Sequence, residues 1–129
     1  MNKDAMAAMS AEELDRYGRV LGIEMKPART KAQKIALIAS KRERSATVTA
    51  LGMQFEVPAK ALSDKRLNDI LAKPEHTDED ILTALELMIG PEQLQDLADA
   101  CTDEDGTVDA PALALAFVMV TESAELKNS

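Results

Sequence analysis

The residues best spaced to do chemistry lie in the acidic stretch TDEDGTVDAPALA, residues 102–114, where carboxylates flank a single glycine. Side-chain oxygens at this density are the ligands that Ca²⁺ prefers. A calcium loop of the helix–loop–helix type takes ligands from its first, third and fifth positions, has glycine at the sixth and a bidentate glutamate at the twelfth. With Gly106 at the sixth position, Asp103 and Asp105 occupy the third and fifth.

The first and twelfth positions of this alignment carry no calcium ligand. Cys101 stands at the first and Ala112 at the twelfth, so the anchoring carboxylate and the bidentate glutamate are both missing. A thiol is a poor ligand for a hard cation, and alanine offers no ligand atom. We therefore predict no metal site here. The stretch is interpreted as a turn at Gly106 that leads into a helix, with Asp109 as its cap and Pro111 in its first turn.

The remaining candidates for chemistry are isolated residues. His76 is the only histidine and Cys101 the only cysteine, so the usual zinc ligand sets cannot be assembled. His76 is interpreted as a solvated loop residue. Cys101 has acidic neighbours that disfavour the thiolate, and we expect it to be buried at a helix end. The chain also lacks a glycine-rich phosphate loop, a G-x-S-x-G motif and an H-E-x-x-H motif. The sequence predicts no catalytic residue, no cofactor and no enzymatic activity.

The elements that position these residues are expected to be mainly α-helical. Of the 129 residues 46% are hydrophobic but only 2% are aromatic, so Leu, Ile, Val, Met and Ala must form the core, which favours packed helices. No apolar run approaches the roughly 18–20 residues that a membrane span needs. The N-terminus lacks the pattern of a signal peptide, and a single cysteine suits a reducing compartment. We expect a cytoplasmic protein that does not associate with a membrane.

The charges divide the chain near residue 44. Residues 1–44 carry ten Lys and Arg against six Asp and Glu, a net charge of +4, whereas residues 45–129 carry five against seventeen, a net charge of −12. A split of this size indicates two segments that face different partners, or one segment that docks on the other. We therefore predict two domains, residues 1–44 and residues 45–129.

The first segment has the pattern of two capped helices joined by an extended connection. Residues 1–9 show no pattern and are expected to fray. Ser10 begins a helix that stops at Gly22, and Thr30 caps a second helix. Lys34 is assigned to the polar face of this second helix together with the other basic residues.

The second segment is predicted to open with a short β-hairpin and to continue as a bundle of about four to five helices. The hairpin covers residues 45–57, with its turn at Ala50, Leu51 and Gly52. Pro74 and Gly90 divide the helical pattern that follows, and the last helix is apolar nearly all round. Such a helix is either buried or part of an interface. The residues that we assign to the core or to an oligomer or client interface are Leu113, Leu115, Phe117, Val118 and Val120.

The order of elements in SAEELDRYGRVLGIEMKPARTKAQKIALI, residues 10–38, resembles the helix-extension-helix motif of the SAP, HeH and LEM groups. The matching positions are Leu14, Leu21, Gly22, Ile23, Thr30, Lys31 and Ile38. The resemblance implies a small module that folds by itself and that binds nucleic acid or protein in many relatives. If this module touches DNA, the phosphate contacts are expected at Arg29, Lys31, Lys34, Lys41 and Arg42.

The second segment is similar to the tail assembly chaperones of long-tailed phages and prophages. The similarity is clearest in IGPEQLQDLADACTDEDGTVDAPALALAF, residues 89–117, which joins a G-x-E-Q helix, an acidic glycine turn and a final helix. The resemblance implies a mainly helical homo-oligomer that binds the tape-measure protein, keeps it soluble, recruits the major tail (tube) protein and is absent from the mature virion. The alternative is a DNA-binding accessory protein that acts through the helix-extension-helix module.

Overall fold

The computed structural model describes the backbone of residues 1–128 and the side chains of residues 1–125. The chain divides into two compact units, Met1–Arg44 (unit 1) and Ser45–Ser129 (unit 2), at the point where the net charge changes sign. The mainly α-helical architecture with one short hairpin is confirmed. In chain order, the elements are α1 Lys3–Ala7, α2 Ala11–Val20, α3 Lys31–Glu43, β1 Ser45–Ala50, β2 Met53–Pro58, α4 Ala59–Leu62, α5 Lys65–Leu71, α6 Asp78–Ala100 and α7 Ala110–Asn128.

The two main helices of unit 1 begin where their capping residues predict. Ser10 accepts a hydrogen bond from the backbone N–H of Glu13, and the Glu13 carboxylate accepts one from the Ser10 N–H in return. Thr30 and Gln33 form the same reciprocal pair at the start of α3. Each pair satisfies backbone donors that the first helical turn leaves without partners, which is why the helices begin at these residues.

The N-terminal residues are helical, which corrects the expectation that they fray. Asn2 accepts a hydrogen bond from the Ala5 N–H and caps α1, and the Met6 side chain is only 2% exposed. A five-residue helix is unstable alone, so the burial of Met6 is what holds α1 in place. The core of unit 1 consists of Met6, Leu14, Ile23, Met25 and Ile38.

The extended connection packs closely over α2 because Gly18 has no side chain. A Cβ atom at Gly18 would lie 2.2 Å from Met25 Sδ and 2.6 Å from Met25 Cγ, well inside van der Waals contact. Val20 lies outside this contact and is 85% exposed.

Unit 2 opens with an antiparallel hairpin whose side chains alternate strictly between core and solvent. Val48 pairs with Phe55, both are buried, and the neighbouring pair of Thr47 and Glu56 faces away from the core. The two-residue turn puts Leu51 at φ +52° and Gly52 at φ +76°. Positive φ at both positions is what a tight hairpin turn of this kind requires, so the predicted turn is confirmed.

The helices of unit 2 begin at capping residues, and α6 breaks at the predicted glycine. Asp64 caps α5, and Thr77 forms a reciprocal capping pair with Asp80 at the start of α6. Inside α6, Gly90 has φ +80° and ψ +166°, which is not helical, and Pro91 follows at the start of the second part of the helix. The predicted break at Gly90 is therefore present, because glycine adopts this conformation without steric cost.

The core of unit 2 joins the inner face of the hairpin to α6 and α7. Phe55, Met88, Leu97 and Phe117 are at most 5% exposed, and Ala84, Ala116 and Ala124 are fully buried between them. Small residues at fully buried positions let the backbones of packed elements come close together, which compensates for the scarcity of aromatic side chains. Among residues 1–128, no helix is both long and apolar enough to cross a membrane.

The Gln93 side chain binds the hairpin in the way that a neighbouring strand would. Its Oε1 accepts a hydrogen bond of 3.0 Å from the Glu56 N–H, and its Nε2 donates one of 3.0 Å to the Glu56 carbonyl. The same Nε2 also donates to the Ile89 carbonyl at 2.7 Å. Gln93 therefore connects β2 to α6 just after the break at Gly90, and it is the glutamine of the G-x-E-Q pattern.

We expect Gln93→Ala to lower the free energy of unfolding of unit 2 by about 2 kcal/mol, because backbone groups of Glu56 and Ile89 lose their partners. Urea unfolding followed by circular dichroism measures the change. Gln95→Ala is the matched control, since Gln95 hydrogen-bonds only to the exposed Asp99 carboxylate on its own helix. Equal stability losses in the two variants would contradict this role for Gln93.

Candidate interaction surfaces

The basic residues assigned to nucleic-acid contact do not form one solvent-facing surface. Lys34, expected on the polar face of α3, is buried instead, with a side chain only 10% exposed. Its Nζ donates hydrogen bonds to Asp15 Oδ1 at 2.6 Å and to the Ala28 carbonyl at 3.0 Å. Lys34 thereby connects α3 to α2 and to the extended segment, and its charge is satisfied within unit 1. The sequence pattern missed this role because Asp15 lies nineteen residues away.

Two further basic residues bind the backbone of the N-terminal segment. Lys31 Nζ donates to the Ala7 carbonyl at the C-terminal end of α1, where helical carbonyls lack intrahelical partners. Arg42 donates from Nη1 to the Met1 carbonyl at 2.9 Å, and its Nε is buried with no hydrogen-bond partner. Arg29 and Lys41 are exposed and have no such contact among the residues that the structure describes, but Arg29 precedes α3 and Lys41 lies in its last turn, so about 15 Å of helix separates them.

The acidic turn, residues 102–109, leads into α7 and ends at the residue that caps this helix. Asp109 Oδ1 accepts a hydrogen bond of 3.0 Å from the Ala112 N–H and caps α7. Asp105 Oδ1 accepts one of 2.9 Å from the Thr107 N–H, which holds the pKa of Asp105 below its usual value. Both aspartates therefore bind backbone N–H groups, Asp105 within the turn and Asp109 at the start of α7. Among the described residues, no group of three or more His, Cys, Asp or Glu side chains is placed to hold a metal ion.

The two isolated candidates for chemistry both pack against the core of unit 2. Cys101 is buried at the end of α6, as expected, and burial raises the pKa of its thiol, with the negative charge of Asp109 raising it further. His76 is not a freely solvated loop residue, which corrects the sequence interpretation. Its Nε2 lies 2.9 Å from the Ile70 carbonyl, and its ring meets the Phe117 ring edge to face at a centroid distance of 5.2 Å.

The apolar residues of α7 divide between two opposite faces. Leu113, Phe117 and Val120 are at most 7% exposed and belong to the core. Leu115 is 51% exposed and Val118 is 45% exposed, and their spacing of three residues places them together on the opposite side of the helix. We call Leu115 and Val118 the outer stripe. The sequence marked all five positions but could not separate these faces, because the whole helix is apolar.

An exposed aliphatic residue also occurs on α6. Leu82 is 41% exposed. The reason is that the buried stripe of α6 follows Leu85, Met88 and Ile89, which leaves Leu82 at its margin.

No protein-family model, no curated protein and no solved structure matches the chain.

We expect Lys34→Ala to lower the free energy of unfolding of unit 1 by about 2 kcal/mol, because it leaves Asp15 and the Ala28 carbonyl without their shared partner. Fluorescence of Tyr17, the only tyrosine in a chain without tryptophan, follows this transition specifically. Lys41→Ala is the control and should change stability by less than about 0.5 kcal/mol, since Lys41 is exposed. If the Lys34 variant is as stable as the Lys41 variant, the ion pair between Lys34 and Asp15 contributes nothing to the stability of unit 1.

We also expect the Cys101 thiol of the folded protein to react with iodoacetamide at about pH 8 at least about tenfold more slowly than free cysteine, because its pKa is raised and its sulfur is buried. Urea should restore the rate of free cysteine. Since the chain has no other thiol, mass spectrometry of the intact protein measures the reaction directly. Rapid labelling without urea would contradict the burial of this residue.

Proposed function

We propose that the chain is a non-enzymatic tail assembly chaperone of a long-tailed phage or prophage, which binds the tape-measure protein, keeps it soluble and recruits tail-tube subunits. The observation that carries the proposal is the outer stripe, in which Leu115 and Val118 stay about half exposed on an acidic helical unit. The resemblance of residues 45–129 suggests the identity of the client. In this proposal the protein acts as a homo-oligomer in the host cytoplasm and is absent from the mature virion.

Exposed aliphatic side chains support this proposal because of how they are arranged. Single exposed hydrophobic residues are common on soluble proteins and need no explanation. Two such residues on adjacent turns of one helix form a strip that can pack against a helix of a client. An oligomer repeats the strip in every copy, so weak individual contacts add up along a long helical client. The net charge of −12 on residues 45–129 keeps such a complex dispersed.

The alternative function, DNA binding through unit 1, receives less support. Lys31, Lys34 and Arg42 each hydrogen-bond to groups inside unit 1, and the two remaining basic candidates are far apart. Phosphate binding depends on several cations that follow one backbone, and unit 1 offers no such row among the five residues assigned. A salt-sensitive gel shift of duplex DNA by the full chain would favour this alternative.

We expect Val118→Glu to abolish most of the solubilisation of a tape-measure protein that is co-expressed with the chain, because a charge enters the apolar strip. The soluble fraction of the client and its co-purification with the chain measure the effect. Val20→Glu is the matched control: it makes the same change at a more exposed valine of unit 1, which is outside the outer stripe. Both variants should keep the helical content of the unmodified chain.

Two results would argue against this function. If the unmodified chain leaves the tape-measure protein insoluble, the chaperone assignment fails. If the chain works but Val118→Glu works equally well, the assignment stands and the outer stripe is not the client surface.

A further inference from the structure

Unit 2 has a second apolar surface, a groove at the place where α6 and α7 begin. The groove has a volume of about 220 Å³. Leu82 and Val108, which are 41% and 53% exposed, present apolar side chains to solvent, and Leu113 is buried beneath them. The residues that line the groove are Asp78, Ile81, Leu82, Val108, Ala110 and Leu113.

The position of Val108 is set by the hydrogen bonds of the acidic turn. A β-bridge pairs Thr102 with Val108, and the Asp109 N–H donates to the Cys101 carbonyl at 2.8 Å. Across the turn, the Asp103 N–H donates to the Thr107 carbonyl, also at 2.8 Å. Because these bonds hold the backbone on both sides of Val108, the backbone at this position is fixed before any partner arrives, which lowers the entropic cost of binding.

The size of the groove points to a protein side chain as its occupant. Pockets for small molecules usually measure about 300–1,000 Å³ and enclose most of their ligand. The volume here is smaller and suits one or two large apolar side chains, which is how partner proteins anchor themselves in shallow grooves.

The rim of the groove is negatively charged. Asp78 lines it, and the exposed Glu79 and Asp109 are neighbours of lining residues in the sequence. Asp80 is engaged elsewhere, since Lys73 donates to it at 2.9 Å and holds its pKa below the usual value. The N-terminal ends of α6 and α7 each contribute only about half a positive charge, so the negative charges of Asp78, Glu79 and the capping residue Asp109 leave the rim acidic.

We propose that this groove binds a helical segment of a partner protein that inserts a large aliphatic or aromatic side chain between Leu82 and Val108. Lysine or arginine residues about one turn away on the partner helix pair with Asp78, Glu79 and Asp109. The inference does not depend on the tail-assembly function, because it rests only on the shape, order and charge of this surface.

A synthetic amphipathic helical peptide, with leucines at i, i+3 and i+7 flanked by lysines, tests the proposal on the full chain. We expect chemical-shift changes at the methyl groups of Leu82 and Val108, and an affinity that falls as salt is added. Ala110→Leu fills the groove from an exposed position and should weaken binding at least about tenfold. Val20→Glu is the matched control: Val20 is exposed in unit 1, outside the groove, and this variant should bind the peptide as the unmodified chain does.

Several outcomes would overturn the proposal. These are unchanged binding by Ala110→Leu, equal binding of a peptide in which glutamates replace the lysines, and shift changes at Leu115 and Val118 instead. If the unmodified chain self-associates and Ala110→Leu abolishes this self-association, the groove is a contact between two copies of the chain. If Ala110→Leu does not fold, Leu82→Asn serves as the second variant, because its side chain is already partly in solvent.

Discussion

The burial of one face of α7 is the constraint on which the rest of unit 2 depends. Leu113, Phe117 and Val120 fill the space between the hairpin and α6, and Ala116 and Ala124 let the helix approach them closely. Once this face is buried, the rotation of α7 is determined, and the positions of its exposed residues follow from the helical repeat.

The two proposed surfaces both follow from this rotation. Leu115 and Val118 point away from the core because they are about half a turn from the buried face. The groove forms at the N-terminal end of α7, where the acidic turn leads into this helix beside the start of α6. The acidic turn, whose spacing resembles a set of metal ligands, thus has a structural role. Its Asp109 side chain caps α7 and adds a carboxylate to the rim of the groove. Its backbone hydrogen bonds fix the backbone at Val108.

Local features of the fold could be predicted from the sequence, and features that depend on distant residues could not. The caps at Ser10, Thr30 and Thr77 and the break at Gly90 involve residues within one helical turn of one another, so their chemistry is visible in short stretches. Lys34 looks like any surface lysine until the fold brings Asp15 beside it. The exposure of Leu115 and the burial of Leu113 also depend on where neighbouring elements lie, which an all-apolar helix does not reveal. The sequence therefore predicted the five apolar residues of α7 as one set and did not divide them between the buried face and the outer stripe.

The hydrogen bonds between Gln93 and Glu56 have a consequence beyond the stability of unit 2. A two-stranded sheet presents unpaired backbone groups along its edges, and such an edge can recruit a strand from another molecule. The Gln93 amide fills a pairing position on β2 with a side chain that cannot be extended into a further strand. A substitution at residue 93 that removes the amide would therefore leave the Glu56 backbone groups open to pairing with a strand of another molecule, as well as weakening the fold.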